Sequence, residues 1–277
     1  MRIGLITDMH FKVNDKSGAA FTATPSLRAC IEDFRNSSVN FVLQLGDMIN
    51  GTPEQAKEEL RQALPMLNEY EGTIHHVIGN HCLAVPQKAL LLSLGMERAY
   101  YSFRAERFRF IVLDGMDVSV LNKPETDADL RLRQSYLARP ELHDYCGAVG
   151  ERQIEWLQRE LQEATTENES VIVVCHFPLH PATTDTKHGL LWNHQEVRKL
   201  LGSYPAVKAC IGGHYHYGGY SEENGIHYLV LPAFVNRSEH PESAWAVADL
   251  CENRLRLISS TGGRFLYDLE LNRNTEP

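Results

Sequence analysis

Two histidines, His214 and His216, stand one residue apart in the segment IGGHYHYGG, residues 211–219, directly after an apolar run. Imidazole nitrogens bind metals and carry protons near neutral pH. The glycines on either side permit sharp turns and close backbone approach. This spacing predicts two imidazoles at the end of a strand that can reach into one small volume.

Four other strand-like runs are each followed by residues of the same kind. In chain order these residues are Asp8 and His10, then Asp47, then Asn80 and His81, then His176. Taken alone, Asp8 is typical of a turn or helix cap, and His176 is typical of a histidine that packs in a core. Ligands of open α/β sheets bind outside the carboxyl ends of the strands. All five groups in this order therefore indicate one site.

The chemistry of this set is that of a metal centre. It combines carboxylate, amide and imidazole groups and contains no cysteine, which suits Mn²⁺, Fe or Zn²⁺ better than a thiolate site would. Seven ligands are too many for one tetrahedral ion, but they are about right for two ions that share a carboxylate. Asp47 is the natural bridge, since one carboxylate has two oxygens. Gly46, Gly79, Gly212 and Gly213 would let these strand ends converge.

The elements that must position these groups alternate between strand and helix and then become β-rich. Periodicity predicts helices at residues 25–35, 53–70, 86–94 and 151–163. It predicts strands at residues 3–7, 41–45, 73–78, 100–103, 108–113, 170–175, 206–211, 226–231, 244–250, 255–259 and 265–271. The pattern indicates an α/β fold, and no linker divides the chain, so residues 1–277 are expected to form a single domain.

Residues 117–149 differ from the rest because they are polar and only weakly helical. A long stretch without clear elements is usually functional or partly disordered. We interpret it as an insertion near the active site, although a solvated surface excursion is an equal alternative.

Composition limits the class of protein. The 277 residues are 43% hydrophobic and 23% charged, as in ordinary globular proteins, and no apolar run is long enough for a transmembrane helix. The start is too short and too soon acidic for a signal peptide, and none of the six cysteines forms a CxxC pair, so we expect a cytoplasmic protein without disulfides. The net charge of -9 disfavours a nucleic-acid partner but allows a small anionic substrate beside bound metal ions.

The ordered motifs resemble those of the calcineurin-like metallophosphoesterases: D-x-H, G-D-x-x-N, G-N-H, a lone H and G-H-x-H. They extend from Asp8 to His216 and so cover most of the chain. The resemblance implies a four-layer α/β/β/α sandwich, in which two mixed β-sheets are flanked by helices. It also implies two divalent metal ions.

The resemblance further implies a role for each matching residue. Asp8, His10 and His216 would bind one ion, Asn80, His176 and His214 the other, and Asp47 would bridge both. His81 would be the catalytic histidine near the leaving group. One departure affects His81, because Cys82 stands where the family usually has an acid, and that acid supports the histidine in many relatives.

A narrower likeness is to the Mn-dependent ADP-ribose/CDP-alcohol diphosphatase group, carried by segments such as LQLGD, HHVIGNH and LWN. Several animal members of that group have Gln at the position of His10. The likeness favours Mn²⁺ and a small phosphorylated substrate, a nucleotide, whose diphosphate would be cleaved by a hydroxide that bridges the two metal ions. Phe177, Trp192 and Tyr215 lie next to motif residues and could form an apolar wall for the base, or else pack in the core.

Three other functions compete with this interpretation. A cyclic-nucleotide or glycerophosphodiester phosphodiesterase would have the same fold and differ only in substrate. A DNA nuclease is disfavoured, because the acidic balance leaves no basic stripe for the backbone. A non-catalytic scaffold of the same fold would be expected to have lost ligands, whereas every ligand position is filled here.

Overall fold

The structure, a computed structural model, describes residues 1–13, 19–122, 124, 126–260 and 265–272. Six α-helices are described: α1 (Ala19–Asn36), α2 (Ala56–Asn68), α3 (Gln87–Leu94), α4 (Asp127–Leu137), α5 (Glu151–Thr166) and α6 (His194–Gly202). The first six strands are β1 (Arg2–Ile6), β2 (Phe41–Gln44), β3 (Ile74–His76), β4 (Tyr101–Ala105), β5 (Phe108–Leu113) and β6 (Ser170–Cys175). The others are β7 (Val207–Gly212), β8 (Gly219–Glu223), β9 (Ile226–Val230), β10 (Ala246–Cys251), β11 (Arg254–Ser259) and β12 (Phe265–Glu270).

These strands form two six-stranded mixed sheets. The first has the order β12-β11-β10-β1-β2-β3, in which β1, β2 and β3 are parallel and β10 runs antiparallel to β1. The second has the order β4-β5-β6-β7-β9-β8, with β5, β6, β7 and β9 parallel and both edge strands antiparallel. The parallel centres of both sheets bring several strand ends to one side.

Alternate residues of the central strands fill the space between the sheets. Ile3 and Leu5 of β1 belong to the same buried cluster as Phe108 and Phe110 of β5, across the sandwich. Side chains of a strand alternate between its two faces, so Ile6 of β1 and Ile111 of β5 belong to the other buried cluster, together with helix residues. Each sheet is thus apolar on both faces, which explains the continuous apolar runs in the sequence.

Helices cover the outer faces of both sheets. α1 and α2 contact each other and connect the parallel strands of the first sheet, while α5 packs on β5, β6 and α6 beside the second. The layers are therefore helix, sheet, sheet and helix, and the predicted four-layer α/β/β/α architecture is confirmed. No helix among the described residues is both long enough and apolar enough to span a membrane.

The predicted insertion at residues 117–149 contains α4 and returns through a bridge between Val118 and Ala148. Its C-terminal part runs beside residues 186–188. There His143 bonds the Thr186 carbonyl through Nε2 at 2.8 Å, and the Tyr145 hydroxyl donates to the Lys187 carbonyl at 2.6 Å.

Candidate metal centre

Loops at the carboxyl ends of five strands meet at one edge of the sandwich. The first sheet contributes Asp8, His10, Asp47, Asn80 and His81 after β1, β2 and β3, and the second contributes His176, His214 and His216 after β6 and β7. Main-chain hydrogen bonds join neighbouring loops: the Asp8 amide donates to Gly46 O at 3.1 Å, and the His10 amide donates to Asp47 O at 3.0 Å. The eight residues predicted from the motifs therefore lie together.

One group of potential ligands consists of Asp8, His10 and His216, whose ligand atoms all lie within 4.8 Å of one another. Asp8 Oδ2 accepts hydrogen bonds from the Thr7 hydroxyl at 2.6 Å and from the His214 amide at 2.9 Å. The other oxygen, Oδ1, is 3.7 Å from His10 Nε2 and 3.6 Å from His216 Nε2. Asp8 is thus held by one oxygen and presents the other to two imidazoles.

A second group consists of Asp47, His176 and His214. His176 Nδ1 is 2.8 Å from the Leu45 carbonyl, which can only accept, so Nε2 is the free nitrogen and lies 3.3 Å from Asp47 Oδ2. His214 Nε2 donates in the same way to the His188 carbonyl at 2.8 Å, which leaves Nδ1 free. Such hydrogen bonds fix the ring orientation of metal-binding histidines in proteins.

Three buried atoms of the predicted ligands have no hydrogen-bond partner within the described part of the chain: Asp8 Oδ1, Asn80 Oδ1 and His176 Nε2. Buried polar atoms are almost always satisfied, so an unsatisfied one requires an explanation such as an ion. All three are of types that bind divalent cations of the Mn²⁺ or Zn²⁺ kind. The residues present therefore fit two metal ions.

The pKa shifts of these residues are also consistent with a site for cations. Burial alone would raise the pKa of Asp8, but His10 and His216 and the charge of His176 hold that pKa well below its ordinary value. Burial likewise opposes charge on His176, yet the Asp47 carboxylate raises the pKa of His176 to about 9. Burial and His176 lower the pKa of His214 to about 4. Metal ligands must be deprotonated, so a cation bound here would take the place of the proton on His176.

His81 lies between the two groups and its ring is oriented by main-chain atoms. Its amide donates to Asp47 Oδ1 at 2.9 Å, and its Nδ1 is 2.5 Å from the carbonyl oxygen of Asn50. A carbonyl accepts and never donates, so Nδ1 carries a proton and Nε2 is the remaining reactive nitrogen. The ring stands edge-on to His10, with centroids 4.6 Å apart.

A cleft of about 520 Å³ opens over these residues. Sequence reasoning missed five of the residues that line it: Lys12, Asn50, Tyr145, His188 and Val235. Tyr145, which belongs to residues 117–149, is one of the residues that line the cleft. His188 supports His214 through its backbone oxygen, and a backbone carbonyl has no signature in a sequence.

The three residues predicted to face a nucleobase occupy different positions. Phe177 and Trp192 are only 1% and 4% exposed and belong to the hydrophobic core, and the Trp192 indole donates to the His143 carbonyl at 3.0 Å. Tyr215 is half-buried, and its ring lies 5.2 Å from that of His188 and 5.6 Å from that of Tyr217. In this conformation only Tyr215 has surface to offer a ligand.

The sequence and the fold of the chain are similar to those of known proteins. A model of the calcineurin-like phosphoesterase family matches residues 1–218. The manganese-dependent ADP-ribose/CDP-alcohol diphosphatase of Arabidopsis thaliana is 30% identical over 294 residues, covering 93% of each chain. The Homo sapiens protein of the same description is 27% identical over 250 residues, 76% of this chain and 73% of the human one. A crystal structure of a dimetal phosphatase from Danio rerio superposes with a TM-score of 0.84 at 25% identity and covers 99% of both chains.

Proposed function

The chain belongs to the calcineurin-like phosphoesterase family, and on that premise we propose that it is a manganese-dependent diphosphatase for nucleotides of the ADP-ribose or CDP-alcohol type. The observation that carries the proposal is the convergence of a full set of oxygen and imidazole ligands, three of them with an unsatisfied buried atom. The named relatives support the substrate class, because the likeness to the Arabidopsis thaliana protein extends over 93% of both chains.

In this proposal Asp8, His10 and His216 hold one ion. Asn80, His176 and His214 hold the other. Asp47 is within reach of ligands from both sets, since its Oδ2 is 3.3 Å from His176 Nε2 and 3.9 Å from His10 Nε2. One carboxylate within reach of both groups is what a shared ligand requires.

Two bound cations would supply Lewis-acid charge for a phosphoryl group and a water of lowered pKa as nucleophile. His81 is proposed as the catalytic residue that faces the leaving oxygen. Its Nδ1 is committed to Asn50 O, so Nε2 is the atom that donates a hydrogen bond or a proton to the substrate. General acid catalysis of this kind typically contributes about 10²–10⁴-fold to the rate.

None of the residues lining the cleft in the described part of the chain is a serine, threonine or cysteine. A covalent enzyme intermediate is not required, because a water activated by bound metal ions can serve as the nucleophile. Lys12 on the cleft wall supplies a cationic side chain, and Tyr145 supplies an aromatic one. A negatively charged diphosphate with an attached base or alcohol needs both kinds of contact, and a cleft of about 520 Å³ has the size of small-molecule sites.

The test is the release of AMP from ADP-ribose by protein that has been stripped of metal and then supplied with Mn²⁺. We expect strong Mn²⁺-dependent release of AMP and little hydrolysis of cyclic AMP in a parallel reaction, with CDP-alcohols cleaved next. Hydrolysis of cyclic AMP or of glycerophosphodiesters without cleavage of ADP-ribose would replace the diphosphatase with a phosphodiesterase of the same fold. No hydrolysis of any of these substrates would contradict a catalytic role altogether.

A further inference from the structure

A chain of hydrogen bonds leads away from His81 into the interior of the protein. The His81 ring donates through Nδ1 to the carbonyl oxygen of Asn50 at 2.5 Å. The amide of Gly51, which belongs to the same peptide group as that carbonyl, donates to Glu59 Oε2 at 2.8 Å. One peptide thus connects the imidazole to a carboxylate that does not itself touch the cleft.

Glu59 is an unusual residue to find in this place. It lies in the first turn of α2 and is 0% exposed, and its second oxygen, Oε1, has no hydrogen-bond partner among the residues that the structure describes. Burying a carboxylate is unfavourable unless its contacts compensate. Its neighbour Glu58 is 41% exposed and pairs with Arg61 instead. Ordinary stabilisation of the helix therefore accounts for Glu58 and leaves Glu59 unexplained.

The connecting peptide is held against the backbone of His81. Gly51 has a φ of +74°, and a Cβ at this position would lie 2.6 Å from the His81 carbonyl oxygen. The amide of Asn50 donates to Phe11 O at 3.0 Å, and its side chain donates to Thr52 Oγ1 at 3.1 Å. These contacts anchor Asn50 at one end of the peptide, and turning its carbonyl away from the ring would break the hydrogen bond from the Gly51 amide to Glu59.

We propose that Glu59 is the positioning residue of His81 and acts through the Asn50–Gly51 peptide. A carboxylate on the amide side polarises the peptide and makes its carbonyl a stronger acceptor, because hydrogen bonds in a chain reinforce one another in a low-dielectric interior. The ring is then held with its proton on Nδ1 and with Nε2 towards the cleft. Cys82, which follows His81, carries a thiol that is 2% exposed and part of the core, so the residue after the histidine supplies no carboxylate for the ring.

This inference rests on the proposed catalytic role of His81, but its test does not depend on the substrate. The variant Glu59→Gln keeps an acceptor oxygen and the shape of the side chain while removing the charge, and Glu58→Gln removes the same charge one residue away. With bis(4-nitrophenyl) phosphate and Mn²⁺, we expect Glu59→Gln to lower kcat roughly 10- to 100-fold with little change in KM or metal content. Glu58→Gln should match the wild type.

A double-mutant cycle separates positioning from general damage. In an His81→Ala background, Glu59→Gln should have no further effect on kcat, because a residue that acts only through His81 has nothing left to position. An equal loss in both backgrounds would overturn the proposal. Gly51→Ala displaces the same peptide from the other side and should reproduce the loss, which keeps the proposal testable if Glu59→Gln folds poorly.

NMR spectroscopy can test the proposed relay without a measurement of enzyme activity. In ¹H–¹⁵N spectra of protein without added metal, the Gly51 amide proton and the His81 Nδ1 proton should both resonate downfield. Both should move upfield together in Glu59→Gln and stay in place in Glu58→Gln. An unmoved His81 Nδ1 resonance would overturn the relay. Failure to cleave ADP-ribose, with these shifts observed, would instead refute the proposed substrate and leave the relay standing.

Discussion

Four of the proposed metal ligands adopt backbone conformations that side-chain-bearing residues rarely take. The φ angles are +49° at Asp8, +43° at His10, +46° at Asp47 and +69° at His214, whereas only five other non-glycine residues of the described chain have positive φ. Each such conformation costs of order 1–3 kcal/mol and persists only where the surroundings enforce it. Strain concentrated in this way marks the residues whose direction matters most.

Asp47 is the residue on which both groups of ligands depend. Replacing it by Ala is expected to abolish binding of both ions, because its carboxylate is within 4 Å of an imidazole from each group. The measurement is the ratio of Mn to protein after dialysis. His81→Ala is the matched control: it should retain the metal and lose about 10²–10⁴-fold in turnover. A normal metal ratio in Asp47→Ala would exclude Asp47 as the shared ligand.

Asp114, at the end of β5, illustrates a buried carboxyl group outside the metal centre. Burial and the neighbouring charge of Asp117 raise the pKa of Asp114 to about 7, although a hydrogen bond from the Met116 amide opposes the shift. The folded protein therefore holds a proton that the unfolded chain, with an ordinary pKa of 3.8, has already released. The free energy of unfolding should fall as the pH rises between these two values.

Asp114→Asn should remove that pH dependence, since an amide resembles the protonated acid. We expect little difference in stability from the wild type near pH 4 and a gain for the variant that grows by about 1.4 kcal/mol per pH unit towards pH 7. Urea unfolding at several pH values measures the gain. Asp144→Asn, at an exposed carboxylate, should give no such trend, and a flat difference for Asp114→Asn would refute the raised pKa.

At the scale of elements, the site depends on how closely the loops after different strands approach. The loop after β7 packs directly on the end of β1: a Cβ on Gly213 would lie 2.0 Å from Thr7 Oγ1 and 2.5 Å from Asp8 Oδ2. These two atoms are joined by the hydrogen bond that holds the Asp8 carboxylate in place. A side chain at this position would therefore separate ligands contributed by the two sheets.

Gly213→Ala is expected to weaken Mn²⁺ binding by roughly 10- to 100-fold, as changes behind metal ligands typically do. Titration calorimetry or competition with a metal indicator would measure the loss. Gly202→Ala is the control, because a Cβ there would meet no atom of the described residues within 4 Å. Equal affinities for Mn²⁺ in both variants would show that the close approach of the two loops is not needed.

Strands were easier to predict than helices in this chain. The strands at residues 108–113 and 170–175 were predicted with the bounds that the structure gives, because both are short, mostly apolar runs that are buried almost throughout. β8 was missed because it is a half-polar edge strand, GYSEE. Only three residues of the predicted strand 73–78 pair as β3, since an edge strand has a neighbour on one side only.

The predicted helix bounds were based on the positions of prolines and on short apolar stripes, and both gave inaccurate bounds. α1 begins at Ala19, so Pro25 lies inside it and not at its start as predicted. α2 spans residues 56–68, within the predicted 53–70, because the first residues form a turn on Thr52 O. α6 was missed, although Val197 and Leu201 form its buried stripe. Nine residues give too few turns for a clear period.

The motif residues of the site were easier to predict from the sequence than the residues that hold them in place. The type and order of the eight motif residues predicted that they would lie together, because few side chains bind divalent cations and strand ends meet at one edge. Asn50 and His188, in contrast, contribute backbone oxygens, and Glu59 acts on a peptide. Such roles depend on where the backbone lies, and any residue type could in principle provide the carbonyl.

At the scale of the whole molecule, the metal centre joins the two sheets. Asp8, Asp47 and Asn80 extend from the first sheet, whereas His176, His214 and His216 extend from the second. Each proposed ion would be held by residues from both sheets, so separating the sheets would release it. The protein also carries a net charge of -9, so two divalent cations would oppose its general repulsion of an anionic substrate.

Mn²⁺ should therefore stabilise the entire fold and not only the loops that bind it. A ligand that binds only the folded state at 100 times its Kd adds about 2.7 kcal/mol. For a chain of this size that corresponds to a rise in Tm of roughly 5–10 °C. Differential scanning calorimetry of metal-stripped protein with increasing Mn²⁺ measures this rise.

The control that identifies the cause is Asp47→Ala, which should unfold at the same temperature with and without Mn²⁺ because the shared ligand is gone. Glu58→Gln, on the surface of α2, should show the full rise. An equal Mn²⁺ effect in Asp47→Ala would mean that the ion binds elsewhere. No effect in the wild type would contradict a site that spans both sheets, since ligands from both must stay together for the ion to remain bound.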